Sequence, residues 1–353
     1  MDGAAQLLRW LERVDPGTHR RIKGLRLVTA YAIAAMLGAV LEPHHAGNGG
    51  TLSSLAGGFA LWASVSEGQA ARGASSRDLL ILCTAAVAGA LSMIAVAAIF
   101  GSRTWPGPEA ILITGAFLVG YLKRYGTLGA GVGSQVYIGQ LLAYGASLRF
   151  ADIGTAVLAG GVAAVAAIVP RMLSGPAERP VSPPVDGPLE PVGPAQQSRE
   201  LRMGLQGALA AMVIVFLGGT VHLEQSAWAI TACTYVIAAS TAGTLDRVRR
   251  RILGTLVGVP LGLMLLPVAS HAPIVLWLAA ALAMVIYAMA LPERYDVACG
   301  AYAFTLMVTL AATGERSTLL LAARAWETLI GGAIGLATAL IVLPLKPQRN
   351  TGS

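Results

Sequence analysis

The sequence predicts an all-α, polytopic integral membrane protein of about twelve transmembrane helices, built as two parallel six-helix repeats. Three observations carry that expectation. Of 353 residues, 55% are hydrophobic and only 12% are charged, about half the charged share of a soluble domain. Charge-free runs recur at 27–41, 79–102, 125–148, 203–223 and 252–292, several of them near the roughly 20 residues that cross a bilayer. Finally, landmarks repeat about 175 residues apart: Leu25-Arg26 with Leu201-Arg202, and Ala34-Ala35-Met36 with Ala210-Ala211-Met212. Arg124-Tyr125 likewise answers Arg294-Tyr295, and each half closes on an apolar run ending in proline, at Pro170 and Pro344.

Taken in order, residues 1–25 form a basic lead-in whose Leu7, Leu8, Leu11 and Val14 share one face. Such a face lies at the membrane surface or docks on the bundle. Helices are expected near 26–41, 51–66, 79–101, 109–122, 126–147 and 151–170, which make the first repeat, 26–170. The second repeat, 201–345, carries helices near 202–219, 226–243, 252–267, 273–291, 296–313 and 318–344. Pro267, His271 and Pro273 break the long 252–292 run into a hairpin. Between the repeats, 171–200 holds Pro176, Pro180, Pro183, Pro184, Pro188, Pro191 and Pro194 and reads as an extended linker. A tail, 346–353, follows the second repeat. Six helices per half gives both halves the same orientation, a parallel repeat about an axis along the membrane normal. Runs shorter than a full span imply tilted or re-entrant helices.

The net charge of +7 invites a nucleic-acid partner, but the placement of the basic residues argues against one. With the N-terminus inside, twenty-one of the 25 Lys and Arg fall on the cytoplasmic side. Only Arg103, Arg149, Arg316 and Arg324 fall toward the outer side. That is the positive-inside pattern, so both termini and the linker are expected in the cytoplasm, with the chain in the inner (plasma) membrane. The first apolar run reads as a retained helix and not as a cleaved leader. Cys83, Cys233 and Cys299 are odd in number and widely spaced within helices, and read as buried thiols.

Motifs of soluble catalysis do not stand out. No phosphate-cradling G-x-x-x-x-G-K-[ST] loop occurs, nor H-E-x-x-H or a Ser-His-Asp arrangement. The chain therefore reads as a non-enzyme without cofactor or metal. His44, His45, His222 and His271 fall in outer loops, where solvated residues are the plain reading and a site with Glu42 or Glu224 the sharper one.

Charges inside spans are costly and mark function or helix pinning. Arg324 and Glu327 sit on one face of the last helix, three residues apart, and Arg149 and Asp152 repeat the pattern at the sixth. Either the arginines flank the junction of the repeats and hold a substrate carboxylate while the acids carry protons, or each arginine neutralises its own acid. A polar stripe of Gly133, Tyr137, Gln140 and Tyr144 runs along the fifth helix. The eleventh shows Tyr302, Thr305, Thr309 and Thr313, and the eighth Trp228, Thr231 and Tyr235. Such faces line a polar path or a helix seam. Gly254, Gly258 and Gly262, and Gly331 with Gly335, read as close helix contacts.

At the cytoplasmic end of the eighth helix, residues 243–251 look like the loop motif of the major facilitator superfamily, one residue short and without its second glycine. The same segment runs on as Arg251-Ile252-Leu253-Gly254-Thr255-Leu256-Val257-Gly258, an R-x-x-G-T-x-x-G entry into a helix. Trp228 and Thr231 precede it. Arg324-Ala325-Trp326-Glu327-Thr328-Leu329-Ile330-Gly331 follows as R-x-x-[DE]-T-x-x-G. In this order the motifs resemble the fusaric acid resistance protein-like (FUSC) family of the aromatic acid exporter group, best over 200–345. The first half resembles a diverged copy, with only Ala85-Ala86 and Gly89 in place of the G-T step. The resemblance implies an inner-membrane exporter of aromatic or other small organic anions, driven by the proton gradient, with lipid, substrate and protons as its partners. A passive anion channel and a membrane scaffold without transport are the rival readings.

Overall fold

The computed structural model describes residues 15, 19–42, 50–100, 107–174, 194–221, 226–269, 271–291, 293–312, 318–342 and 344. Among them every regular element is helical. In chain order these are α1 His19–Leu41, α2 Thr51–Ser66, α3 Arg72–Phe100, α4 Ile111–Tyr121, α5 Gly126–Gly145 and α6 Ile153–Leu173. The second half holds α7 Pro194–Val221, α8 Ser226–Val236, α9 Thr241–Leu263, the four-residue α10 Leu266–Ala269, α11 Pro273–Ala290, α12 Tyr295–Ala312 and α13 Thr318–Ile341. Each expected helix has a counterpart, and the hairpin break falls at α10, as the prolines required.

Among the described residues seven helical stretches are long and apolar enough to cross a membrane: His19–Leu41, Arg72–Ile99, Phe150–Leu173, Ser198–Gly218, Thr241–Val268, Pro273–Ala290 and Tyr295–Ala312. Helices α4, α5 and α8 fall short for physical reasons. With 11 residues each, α4 and α8 reach only about 17 Å at 1.5 Å per residue. The 20 residues of α5 include two glutamines, two tyrosines and six glycines, which lower its hydropathy.

Several boundaries differ from expectation: α1, α3 and α7 begin at His19, Arg72 and Pro194, seven or eight residues before the apolar runs expected from 26, 79 and 202. The helix expected over 226–243 stops at Val236, and α9 begins already at Thr241 because the Ser240 side chain caps it by accepting from the Gly243 N–H at 3.1 Å. Residues 243–251 are thus the first turns of α9 and not a loop after the eighth helix. The linker is also shorter at both ends than 171–200: α6 runs on to Leu173 and α7 starts at Pro194. The remainder, 175–193, lies outside the described residues, as do His44, His45, His222, Glu224 and Thr313.

Small residues set the packing. In the first half α1 packs on α2 and α6, α2 on α6, α3 on α5 and α6, and α4 on α5. The second half has the matching pairs: α7 on α8 and α13, α8 on α13, α9 on α12 and α13, and α11 on α12. Between halves, α4 packs on α7 and α11 on α1. A Cβ at Gly120 of α4 would lie 2.7 Å from the Gly204 Cα of α7, so those two backbones touch. One apolar core serves the first half around Leu55, Phe59, Leu79 and Ala86. Another, holding Leu112, Tyr137, Ile214 and Ile230, belongs to both halves.

Candidate functional site

The polar stripes meet where the halves meet. From α5, Tyr137 is fully buried and its hydroxyl lies 2.7 Å from the Thr231 Oγ1 of α8. Thr231 donates to the Ala227 carbonyl at 2.8 Å, so the tyrosine is the donor in the first bond. One turn away, the Ser134 hydroxyl is 2.7 Å from that of Tyr235, and the Tyr137 and Tyr235 rings meet edge-on at 5.9 Å. Tyr144 hydrogen-bonds Ser226. These three cross-links extend over ten residues of α5, about 15 Å along its axis. Yet α5 and α8 are not among the closely packed helix pairs: long polar side chains bridge backbones that stand apart. Gln140 is buried and donates to Ser92 at 3.1 Å and Thr114 at 3.2 Å, while its Oε1 has no partner among the described residues. Gln135 donates to Ser66 at 3.3 Å and also leaves a buried Oε1 unpartnered.

Arg251 sits at one end of this seam. The glycines after it on α9 explain its placement. A Cβ at Gly254 would come within 2.7 Å of the Gly300 nitrogen, and one at Gly258 would strike the Gly300 carbonyl. Only bare backbone allows α9 and α12 to approach so closely, and the approach sets Arg251, one turn earlier, beside Tyr295 and Cys299. The guanidinium is in hydrogen-bonding reach of the Tyr295 hydroxyl, which also meets the Cys299 thiol. Tyr302 and Tyr235 complete its surroundings. Trp62, on α2 of the first half, meets Tyr302 at 5.5 Å and Tyr287 at 6.2 Å, both edge-on. Five of the nine tyrosines in the chain thus gather at one junction.

Other arginines within helices are fully engaged. Arg26 forms a buried ion pair with Glu67 at 2.8 Å. Arg171, 1% exposed, donates to Ser75 at 2.7 Å and to the Gln69 and Ala70 carbonyls at 3.1 and 2.8 Å.

Of the charge pairs singled out in the sequence, Arg149 and Asp152 lie away from this junction. Arg149 is exposed, and Asp152 caps the turn before α6 by accepting from the Arg149 backbone N–H at 2.8 Å. The helix that follows packs on α1, α2 and α3, within its own half. Glu327 is buried, whereas Trp326 beside it is 62% exposed; the side chain of Arg324 lies outside the described residues. Gly331 rests on Ala229 and Gly335 on Cys233 of α8, a parallel register that sets Glu327 one turn before the first of these contacts, at the Ser226 end of α8. Thr328 is half-buried on the same helix and Thr255 is buried on α9. On α12, Thr305 and Thr309 donate to their own helix at 2.9 and 2.8 Å, while Tyr302 reaches the junction.

At the mouth of the bundle, outside the spans, Lys123 is brought down to about 8 by burial and then by the nearby Arg247, with Glu200 opposing. Glu293 is held below its usual range by Arg20, whose guanidinium donates to it at 2.9 Å across the two halves. All three cysteines are buried and free, and among the described residues no group of three or more His, Cys, Asp or Glu could hold a metal ion.

Apolar helices long enough to cross a bilayer, joined by an internal polar seam, define a multi-pass membrane protein of transporter type. Residues 209–338 match the fusaric acid resistance protein-like family, the resemblance read from the motifs around Arg251 and Glu327. No curated protein and no solved structure matches the chain.

Proposed function

We propose that the chain is an inner-membrane exporter of small organic anions, aromatic or otherwise, coupled to the proton gradient. In this reading two parallel six-helix repeats enclose the path at their junction. One observation carries it: hydroxyls of α5 and α8 pair across the junction of the halves, and the Arg251 guanidinium of α9 lies beside tyrosines of α8 and α12, in a chain with only 12% charged residues. Polar groups inside a bilayer persist where they line a path or seal a seam. The matching helix pairs of the two halves and the paired contacts α4 on α7 and α11 on α1 support the repeat. The name of the family matched over 209–338 concerns resistance to an organic acid, which supports export. Glu327, buried near the seam helix α8, is the proposed proton carrier.

The test is flux in proteoliposomes with benzoate as the probe. Gradient-dependent, saturable movement is expected. Downhill flux indifferent to the proton gradient would make the protein a channel, and no flux of any organic anion would leave a scaffold. Orientation is tested by cysteines placed at Asn48 and Pro184, which should label from opposite sides of the membrane.

A further inference from the structure

We propose that the groove between α9, α11 and α12 binds one anionic phospholipid, with an acyl chain in the groove and the phosphate on Arg249. The inference needs only that the chain crosses a bilayer, so it stands apart from any cargo or coupling.

The groove follows from how glycine sets helix distances. Bare backbone at Gly254, Gly258 and Gly300 lets α9 lie directly on α12, and α11 packs on α12 as well. Helices α9 and α11 themselves are not among the closely packed pairs. A cleft of about 500 Å³ therefore opens between them, floored by Gly300 and Ala301 of α12. Its walls are Leu253, Val257 and Leu261 of α9 and Leu282 and Ile286 of α11, each between 41% and 62% exposed. In the first half the corresponding helices α3 and α4 are tied together, because Gln140 of α5 donates to both Ser92 and Thr114.

Length and charge name the occupant. From Leu253 to Leu261 the groove runs about 12 Å at 1.5 Å per residue, close to half of a hydrocarbon core roughly 30 Å thick. That is the depth of one leaflet. A helix of a second copy needs a seam along the whole span, whereas an acyl chain needs only its own leaflet. At the end where α9 begins, Arg249 is exposed and stands one turn before Leu253 on the same helix face. The other charges at this end are matched: Arg250 pairs with Asp246 at 2.9 Å, and Glu293 is held by Arg20. Asp296 lines the groove and is neutralised by Arg294 at 3.4 Å. Among the described residues no carboxylate lies in ion-pair reach of Arg249. One positive charge is thus left over, and its guanidinium offers paired N–H groups that suit a phosphate. A zwitterionic headgroup carries its own cation and gains less there.

The test uses the full chain purified in detergent, with phosphatidylglycerol, phosphatidylethanolamine and phosphatidylcholine of identical acyl chains added in equal amounts. Native mass spectrometry should show one retained phosphatidylglycerol, favoured about 5-fold over either zwitterionic lipid, the effect of a single arginine on an anionic headgroup. Arg249→Gln should erase that preference, while Arg72→Gln, at the exposed start of α3, should leave it intact. Val257→Trp fills the groove from an exposed wall position, so it should expel the lipid while thermal unfolding stays cooperative. Equal retention of all three headgroups, a preference that survives Arg249→Gln, or a lipid still held by Val257→Trp would overturn the inference. A mass of two chains that Val257→Trp returns to one would give the groove to a second copy and overturn it equally.

Discussion

Arg171 and Arg251 are both set among helices, yet they sit in opposite circumstances. Every face of the Arg171 group that the structure describes is turned to an oxygen of the helix ends around it. Arg251 is ringed by tyrosines, with a sealed Nε from which no described residue accepts. Burial alone therefore does not distinguish a structural arginine from a functional one. What distinguishes them is whether the protein itself completes the hydrogen-bonding set. Where it does, as at Arg171, the residue pins helices together.

That contrast can be broken in graded ways. The largest effect is expected at the buried pins, Arg26 and Arg171. Arg26→Ala leaves Glu67 buried and unpaired and should cost about 3–5 kcal/mol, and Arg171→Met should cost about 3 kcal/mol by orphaning two carbonyls and a hydroxyl. Arg251→Met, by contrast, should leave stability unchanged or raised, because it removes a buried charge without stranding a carboxylate. Thermal melts of the three variants side by side check the order. Next comes Gly258→Ala, which drives a methyl group into the Gly300 carbonyl. It should cost about 2 kcal/mol by parting α9 from α12. Thr231→Val removes one cross-seam hydrogen bond, and about 1 kcal/mol or less is expected from chemical denaturation.

The smallest effect is a pH dependence at Lys123. Its folded pKa of about 8 lies below the ordinary 10.5. Between those values the unfolded chain holds a proton that the folded chain lacks, so this group makes stability rise with pH across that window. Lys123→Met should flatten that rise, seen as the difference between the two chains' melting temperatures from pH 7.5 to 10.

The helices were legible because lipid imposes a coarse rule: apolar runs, proline breaks and the alternation of basic residues located each helix, while the polar, basic first turns that precede the apolar runs at His19, Arg72, Pro194 and Thr241 were not counted as helix. The stripe Tyr137, Gln140 and Tyr144 was legible for the same reason, since polar residues at helical spacing must face something other than lipid. Arg251 was visible only as a motif letter. Its surroundings come from four helices distant in sequence, and spacing along one helix cannot reveal them. The clustering of Tyr287, Tyr295 and Tyr302, about two turns apart around the α11–α12 hairpin, was the available hint in a chain with 6% aromatic residues. Asp152 accepts from the Arg149 backbone N–H and caps the turn before α6, which fits the helix-end alternative for that pair. The role of the Arg324 and Glu327 face rests on the flux experiments.

The central claim is that the polar seam between the halves is a water-accessible path. Cysteines at Ser134 and Tyr302, in a chain whose Cys83, Cys233 and Cys299 are replaced by alanine, test it most directly. Leu278, 66% exposed on α11, serves as the lipid-facing control. A charged methanethiosulfonate should modify positions 134 and 302 and stop benzoate flux, with benzoate slowing the reaction, while position 278 stays unmodified. Unreactive seam cysteines in a chain that still moves benzoate would contradict the account.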